Sequence, residues 1–302
     1  MKGIEAGGRP LLADKEEAAA KNSVAKLSIL AASFLVALKT VTGFLTGSIS
    51  VWASLLDSAM DIFASTINYI AVRVAARPAD EDHTYGHGKA ESLAGLFQAT
   101  VITVSGLFLI WEAVRRLRVP HEIASEGIGI ATMMIAIAVS AALVARLRSI
   151  ARKTESPALN SDAIHYASDI YTNLSALLAL LIIKLSGLRV VDPLISILIS
   201  LYILWSAVSV ARESIDVLMD RRLPLEVDEQ IASIVGRYRE QGIFGFHDLR
   251  TRRSGSNKFI DLHLEVAGDK SLEEAHDLTV RVLREIESEI PRSRVQIHTD
   301  PI

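Results

Sequence analysis

The 302-residue chain contains no cysteine. Disulfides, thiolate zinc sites, iron–sulfur clusters and cysteine nucleophiles are therefore excluded, and any metal must be held by His, Asp, Glu or backbone oxygen. An excess of charge of one sign is also missing: 32 Lys and Arg stand against 35 Asp and Glu, the net charge is −3 and the pI about 6.3. Such a balance leaves no nucleic-acid footprint. Charged residues make up 22% of the chain, hydrophobic ones 50%, and the mean hydropathy is +0.32. These values argue against an ordinary soluble chain and against disorder. The apolar residues must be clustered, with the charge between and after the clusters.

The opening MKGIEAGGRPLLADKEEAAAKN mixes charge, Gly and Ala, with no short apolar region and cleavage site after the basic start. It does not read as a signal peptide, and residues 1–24 are expected to be a mobile cytoplasmic tail. A membrane helix needs about 20 mostly apolar residues. Six stretches qualify, at about 25–47, 50–73, 92–114, 127–147, 160–185 and 190–211. Together they make a helical membrane domain over 25–212. Lys15, Lys21 and Lys26, then Arg73, Arg77 and Lys89, then Arg146, Arg148, Arg152 and Lys153, and finally Arg212, Arg221 and Arg222 all fall on one side of the spans. Arg115, Arg116 and Arg118 run against this bias. The majority places both termini in the cytoplasm, with Trp52 and Trp111 near the outer interface.

From about 213 to 302 the composition turns polar. Pro224 opens a helix, strand-like stretches flank a Ser-Gly-Ser-Asn turn, and an amphipathic helix follows with Ser271 and Glu274 as a capping box. A short strand ends the chain. The order αββαβ predicts a small α+β domain with its helices on one face of a sheet.

The second span carries Asp57 and Asp61, and the fifth carries His165 and Asp169. Each pair is spaced i, i+4, so each shares one helix face. A carboxylate deep in a bilayer costs at least about 2.5 kcal/mol, and two on one face cost more unless a cation neutralises them. Facing helices with these pairs offer three carboxylates and one imidazole, a set that suits tetrahedral zinc, with cadmium or ferrous iron as alternatives. Asn68 and Asn173 continue the same faces and are candidate interhelical hydrogen-bonders. Lys39, in the first span, either snorkels or pairs with a carboxylate, and the structural reading is preferred.

Seven of the eight histidines fall in metal-compatible groups. Beside His165, Asp80, His83 and His87 form D-x-x-H-x-x-x-H in the link after the second span. His247, His263, His276 and His298 lie in the C-terminal domain. Asp300, two residues beyond His298, points to the same side of a strand. Only His121 belongs to no cluster.

The motifs SLLDSAMD, ADEDHTYGHGKAES, SDAIHYASD, HDLRTR, IDLHLE, EEAHDL and QIHTDP resemble, in order and spacing, those of the cation diffusion facilitators, in particular their bacterial zinc and iron efflux branch. The resemblance runs from about residue 25 to the end. It implies a homodimer of six-helix protomers with a cytoplasmic ferredoxin-like domain in the inner membrane. It also implies export of Zn²⁺, with Cd²⁺ and Fe²⁺, by alternating access against an inward flow of protons, with no cofactor and no nucleic-acid partner. By the same resemblance Asp57, Asp61, His165 and Asp169 are the transport site, and Asp80, His83 and His87 a second site. His247, His263, His276, His298 and Asp300 become a paired-metal site bridged by Asp300, where zinc is structural or regulatory. Lys89 and Asp220 match a charge interlock between membrane and cytoplasmic domains. The departures are the longer N-terminal tail and Asp82. Two other readings fit parts of the chain. An intramembrane Mg²⁺-dependent prenyltransferase uses D-x-x-x-D pairs but needs a basic cluster for diphosphate, and a membrane-tethered metal sensor would not need four buried polar ligands.

Overall fold

The computed structural model describes residues 11–46, 49–118, 127–186, 188 and 190–302, and the side chains of these except 11–14, 46, 49–57, 180 and 184. Trp52 and Asp57 therefore lie outside the described side chains, and His121 outside the described residues. The chain divides into two compact units, Glu16–Ile215 and Asp216–Ile302, the second taken together with Met1–Lys15.

The first unit is built from six long helices: α1 (Leu11–Thr46), α2 (Ile49–Ala75), α3 (Ala90–Arg118), α4 (Gly127–Thr154), α5 (Pro157–Ser186) and α6 (Val191–Leu218). Five segments of described residues are long and apolar enough to cross a membrane: Lys15–Leu45, Ala90–Arg118, Gly127–Thr154, Pro157–Ile183 and Val191–Leu218. Their outward faces carry Phe34, Phe44, Leu198 and Trp205, at least half exposed, as a lipid-facing surface requires. Leu147, Ala158, Leu159, Ala163 and Tyr166 form the centre of the core, where α4 and α5 pack closely. Span hydroxyls bond back to carbonyls four residues earlier, as Thr66 does to Ile62 at 2.7 Å and Thr103 to Ala99 at 2.8 Å. With no water in hydrocarbon, this closes their hydrogen bonds within the helix.

The structure corrects the expected mobile tail over residues 11–24, while 1–10 lie outside the described residues. α1 begins at Leu11 and runs unbroken into the first span. Glu16, Glu17, the alanines 18–20 and Lys21 are strong helix formers, and Lys21 Nζ lies 2.8 Å from Glu91 Oε1, whose side chain is 2% exposed. The arginines that run against the charge bias are also explained: Glu112 pairs with Arg116 at 3.0 Å and with Arg115 at 3.5 Å, and Asp192 pairs with Arg116 at 3.2 Å.

The second unit contains α7 (Leu225–Gly236), β1 (Ile243–Ser254), β2 (Asn257–Val266), α8 (Leu272–Glu289) and β3 (Ser293–Pro301). The sheet order is β1-β2-β3, with β1 and β2 antiparallel and β2 and β3 parallel. Gly255 at φ 58 opens the two-residue connection between Ser254 and Asn257, a position that favours glycine. The capping box is present: Glu274 N–H donates to Ser271 Oγ at 3.2 Å, and Ser271 N–H donates to Glu274 Oε2 at 2.8 Å.

Alternation along β2 sends Ile260, Leu262, Leu264 and Val266 toward α7 and α8, where Ile231, Ile234, Leu278, Val282 and Ile286 meet them. The opposite face of the sheet carries the polar residues. Because the core is purely apolar, the unit spanning 216–302 is expected to fold without metal. Leu264→Ala, at a side chain with no exposure, should cost about 3 kcal/mol in urea unfolding of that segment.

Candidate metal centres

In the membrane unit α2 and α5 bring Asp61, His165 and Asp169 together. One ligand atom from each lies within 4.8 Å of the others. His165 Nε2 is 2.9 Å from Asp61 Oδ1, and the two residues are 4% and 6% exposed. Asp57 occupies the turn of α2 before Asp61, and its side chain is not described. Three of the four expected ligands are thus assembled, with carboxylate and imidazole donors that suit zinc.

A third carboxylate in this region was not singled out from the sequence. Asp162, one turn before His165 on α5, is fully buried and accepts a 2.6 Å hydrogen bond from Ser28 Oγ of α1. Tyr166 hydroxyl donates to the Ser28 carbonyl at 3.1 Å and meets Ser65 Oγ at 2.9 Å. The i−3 spacing from His165 was the available signal. Asn173 does not bridge helices as expected; its amide donates to the Asp169 carbonyl at 2.8 Å within α5. Asn68 is buried on α2, with its side chain near Asp162 of α5.

The link between α2 and α3 folds Asp80, His83 and His87 into one group. His83 N–H donates to Asp80 Oδ1 at 2.7 Å, and His87 Nε2 stands 3.3 Å from Asp80 Oδ2. The His83 amide holds the Asp80 carboxyl below its usual range, and the two imidazoles add to the effect. The imidazole rings lie 4.5 Å apart.

In the second unit the sheet register sets His247, His263 and His298 in one row across all three strands. Asp300 stands among them, with Oδ2 2.9 Å from His263 and 3.2 Å from His247, and Oδ1 3.2 Å from His298. The His263 hydrogen bond, aided by His298 and His247, lowers the Asp300 pKa. Two oxygens facing different histidines give the geometry of a bridging carboxylate. His276 is not brought to this row. It is exposed on α8, and α8 packs on the opposite face of the sheet, so the row within one protomer holds four of the five expected residues. Two acidic neighbours were missed. Glu265 lies 3.3 Å from His247, as its place two residues after His263 allows. Asp248 joins His247 and His263 because the register slips between His247 and Arg250, with Asp248 at φ 50. No sequence period announces such a bulge.

A family model of the cation efflux transmembrane domain matches residues 25–219, and one of the cation efflux protein cytoplasmic domain matches residues 223–302. The chain belongs to the cation efflux family. Relatives named cation-efflux pump FieF from Klebsiella pneumoniae and Yersinia pestis are each 42% identical over 270 residues, 89% of this chain and 89% of theirs. A solved Zn form of CzrB, described as a zinc transporter, is 37% identical, covers 27% of this chain and 92% of its own, and has a TM-score of 0.26. Family membership makes this a multi-pass membrane transporter for divalent cation efflux and sets aside the prenyltransferase reading.

In this cation-efflux chain Lys89 lies in the first unit and Asp220 in the second, where Asp220 Oδ1 stands 3.5 Å from Arg252. The Ser28–Asp162 bond yields a direct test. Ser28→Ala strips the hydroxyl donor from a buried carboxylate and should cost about 1–3 kcal/mol of helix-unit stability. Thermal unfolding in detergent should register it as a lowered Tm.

Proposed function

We propose that the chain exports Zn²⁺, and with it Cd²⁺ and Fe²⁺, in exchange for protons by alternating access. It acts as a homodimer in the inner membrane with both termini cytoplasmic. The observation that carries this reading is the Asp61–His165–Asp169 cluster, with Asp61 and His165 buried, between the long helices α2 and α5. Asp57 supplies the fourth ligand. Three carboxylates and one imidazole hold a tetrahedral metal, and the imidazole tilts the choice toward zinc.

Coupling is competition for the same atoms. Metal binding needs a neutral imidazole and ionised carboxylates. On the outward-facing side protons take His165 and a carboxylate, and the metal leaves. Facing the cytoplasm the protons leave and zinc binds again. Imidazole suits this exchange because its unperturbed pKa lies near 6.5.

The division of labour follows the domain bounds: transport over 25–212 and a cytoplasmic metal-binding domain over 213–302. Asp80, His83 and His87 form the link site. In the cytoplasmic domain Asp300 bridges two metals, with His247, His263 and His298 from its own sheet and His276 from α8 completing the expected set. Lys89 and Asp220 interlock the two domains.

Metal-resolved flux in proteoliposomes tests the reading. Zinc uptake should follow an imposed pH gradient and stop when an ionophore collapses it; flux indifferent to the gradient would remove the antiport. Asp61→Ala should lower zinc flux by about 100-fold or more while size-exclusion still reports a folded dimer. Calorimetry on residues 213–302 should find about two zinc ions per protomer, and Asp300→Ala should weaken both together. A single zinc, or loss of only one of two, would remove the bridge and leave the membrane site untouched.

A further inference from the structure

Lys39 lies inside the Lys15–Leu45 span, six residues from its end. That places it about 9 Å along the helix axis from Leu45. A lysine there ordinarily snorkels toward the interface. This one instead turns sideways: its Nζ donates to Ser58 Oγ of α2 at 2.6 Å, and Ser58 is 1% exposed. Ser58 follows Asp57 and precedes Asp61 by three residues, so the ammonium is anchored within the D-x-x-x-D turn of the transport site.

We infer that Lys39 is a tethered counter-cation of the transport site. The inference rests on the ligand set proposed above. Among the proposed ligands Asp57, Asp61 and Asp169 bring three negative charges, Asp162 being engaged by Ser28 outside that set, and a ligating imidazole is neutral. A divalent metal cancels two of them, which leaves the loaded site with a residual negative charge in a low-dielectric bundle. The Lys39 ammonium cancels the third. It also stays when the metal leaves, so the empty carboxylates are never without a cation. The same charge repels the bound metal and limits how tightly it is held. Lys39 thus trades affinity for release.

The test measures KM and kcat for zinc in proteoliposomes. Lys39→Met keeps the stem and removes the charge; Lys39→Gln removes the charge with a polar end; Lys39→Arg keeps the charge. Both neutral variants should lower KM by about tenfold and lower kcat by about tenfold, through tighter holding and slower release. Lys39→Arg should stay within about threefold of wild type on both. Ser58→Ala, which removes only the anchoring hydroxyl, should not reproduce the neutral variants. A purely positioning lysine predicts the reverse: a raised KM, reproduced by Ser58→Ala. Unchanged or raised KM in both neutral variants overturns the inference. If neither is recovered folded, each is combined with Asp57→Asn, which restores the charge balance; recovery of folded protein supports the assignment and failure overturns it. A wild-type protein that moves no zinc would instead refute the transport reading itself.

Discussion

A charged group inside an apolar helix bundle must meet an opposite charge or a hydrogen-bond donor, and the membrane unit is arranged around that requirement. Asp61 meets His165, Asp162 meets Ser28, Lys39 meets Ser58, and Glu91 meets Lys21 and Ser156. At the far end of α3 Arg116 meets Glu112 and Asp192. These contacts tie α1 to α2, α1 to α3, α1 to α5, α2 to α5 and α3 to α6. The polar groups are therefore both the chemistry and much of the specificity of helix pairing, because apolar side chains gain little from one another in lipid.

The second unit solves the opposite problem. Its helices cover one face of a three-stranded sheet and leave the other to water. Strand alternation then separates two functions along the same residues. Leu262 and Leu264 build the core while His263 and Glu265 build the polar face. Neither task compromises the other, so metal-binding groups can gather on the open face without entering the fold's stability. The register slips twice along β1, between Ile243 and Gly245 and between His247 and Arg250, and the second slip, at Asp248, adds an acid to the histidine row.

Much of this was legible in the chain. The helical spans follow from runs of apolar residues, the αββαβ order from period and turn residues, and the capping box from Ser271 and Glu274 alone. The aspartate pair of α2 and the His165–Asp169 pair were visible because i, i+4 spacing is a property of the helix itself. Glu265 was readable on the same grounds, by alternation, and was passed over. The helical start of α1 was misjudged because charge and alanine were taken for a loose tail, although those residues favour helix.

The sequence by itself determined which residues share a face of one element, since that depends only on local backbone geometry. It could not say on which layer α8, and with it His276, would lie relative to the other histidines. Tertiary structure decided that, setting α8 behind the sheet and the histidine row in front of it. It decided equally that Lys39 turns to Ser58 instead of toward the interface, and that Asp162 finds its donor 134 residues away in Ser28. The reason is the same in each case. A contact between elements depends on how their packed faces rotate and register, and helical or strand period leaves that rotation free until the faces meet.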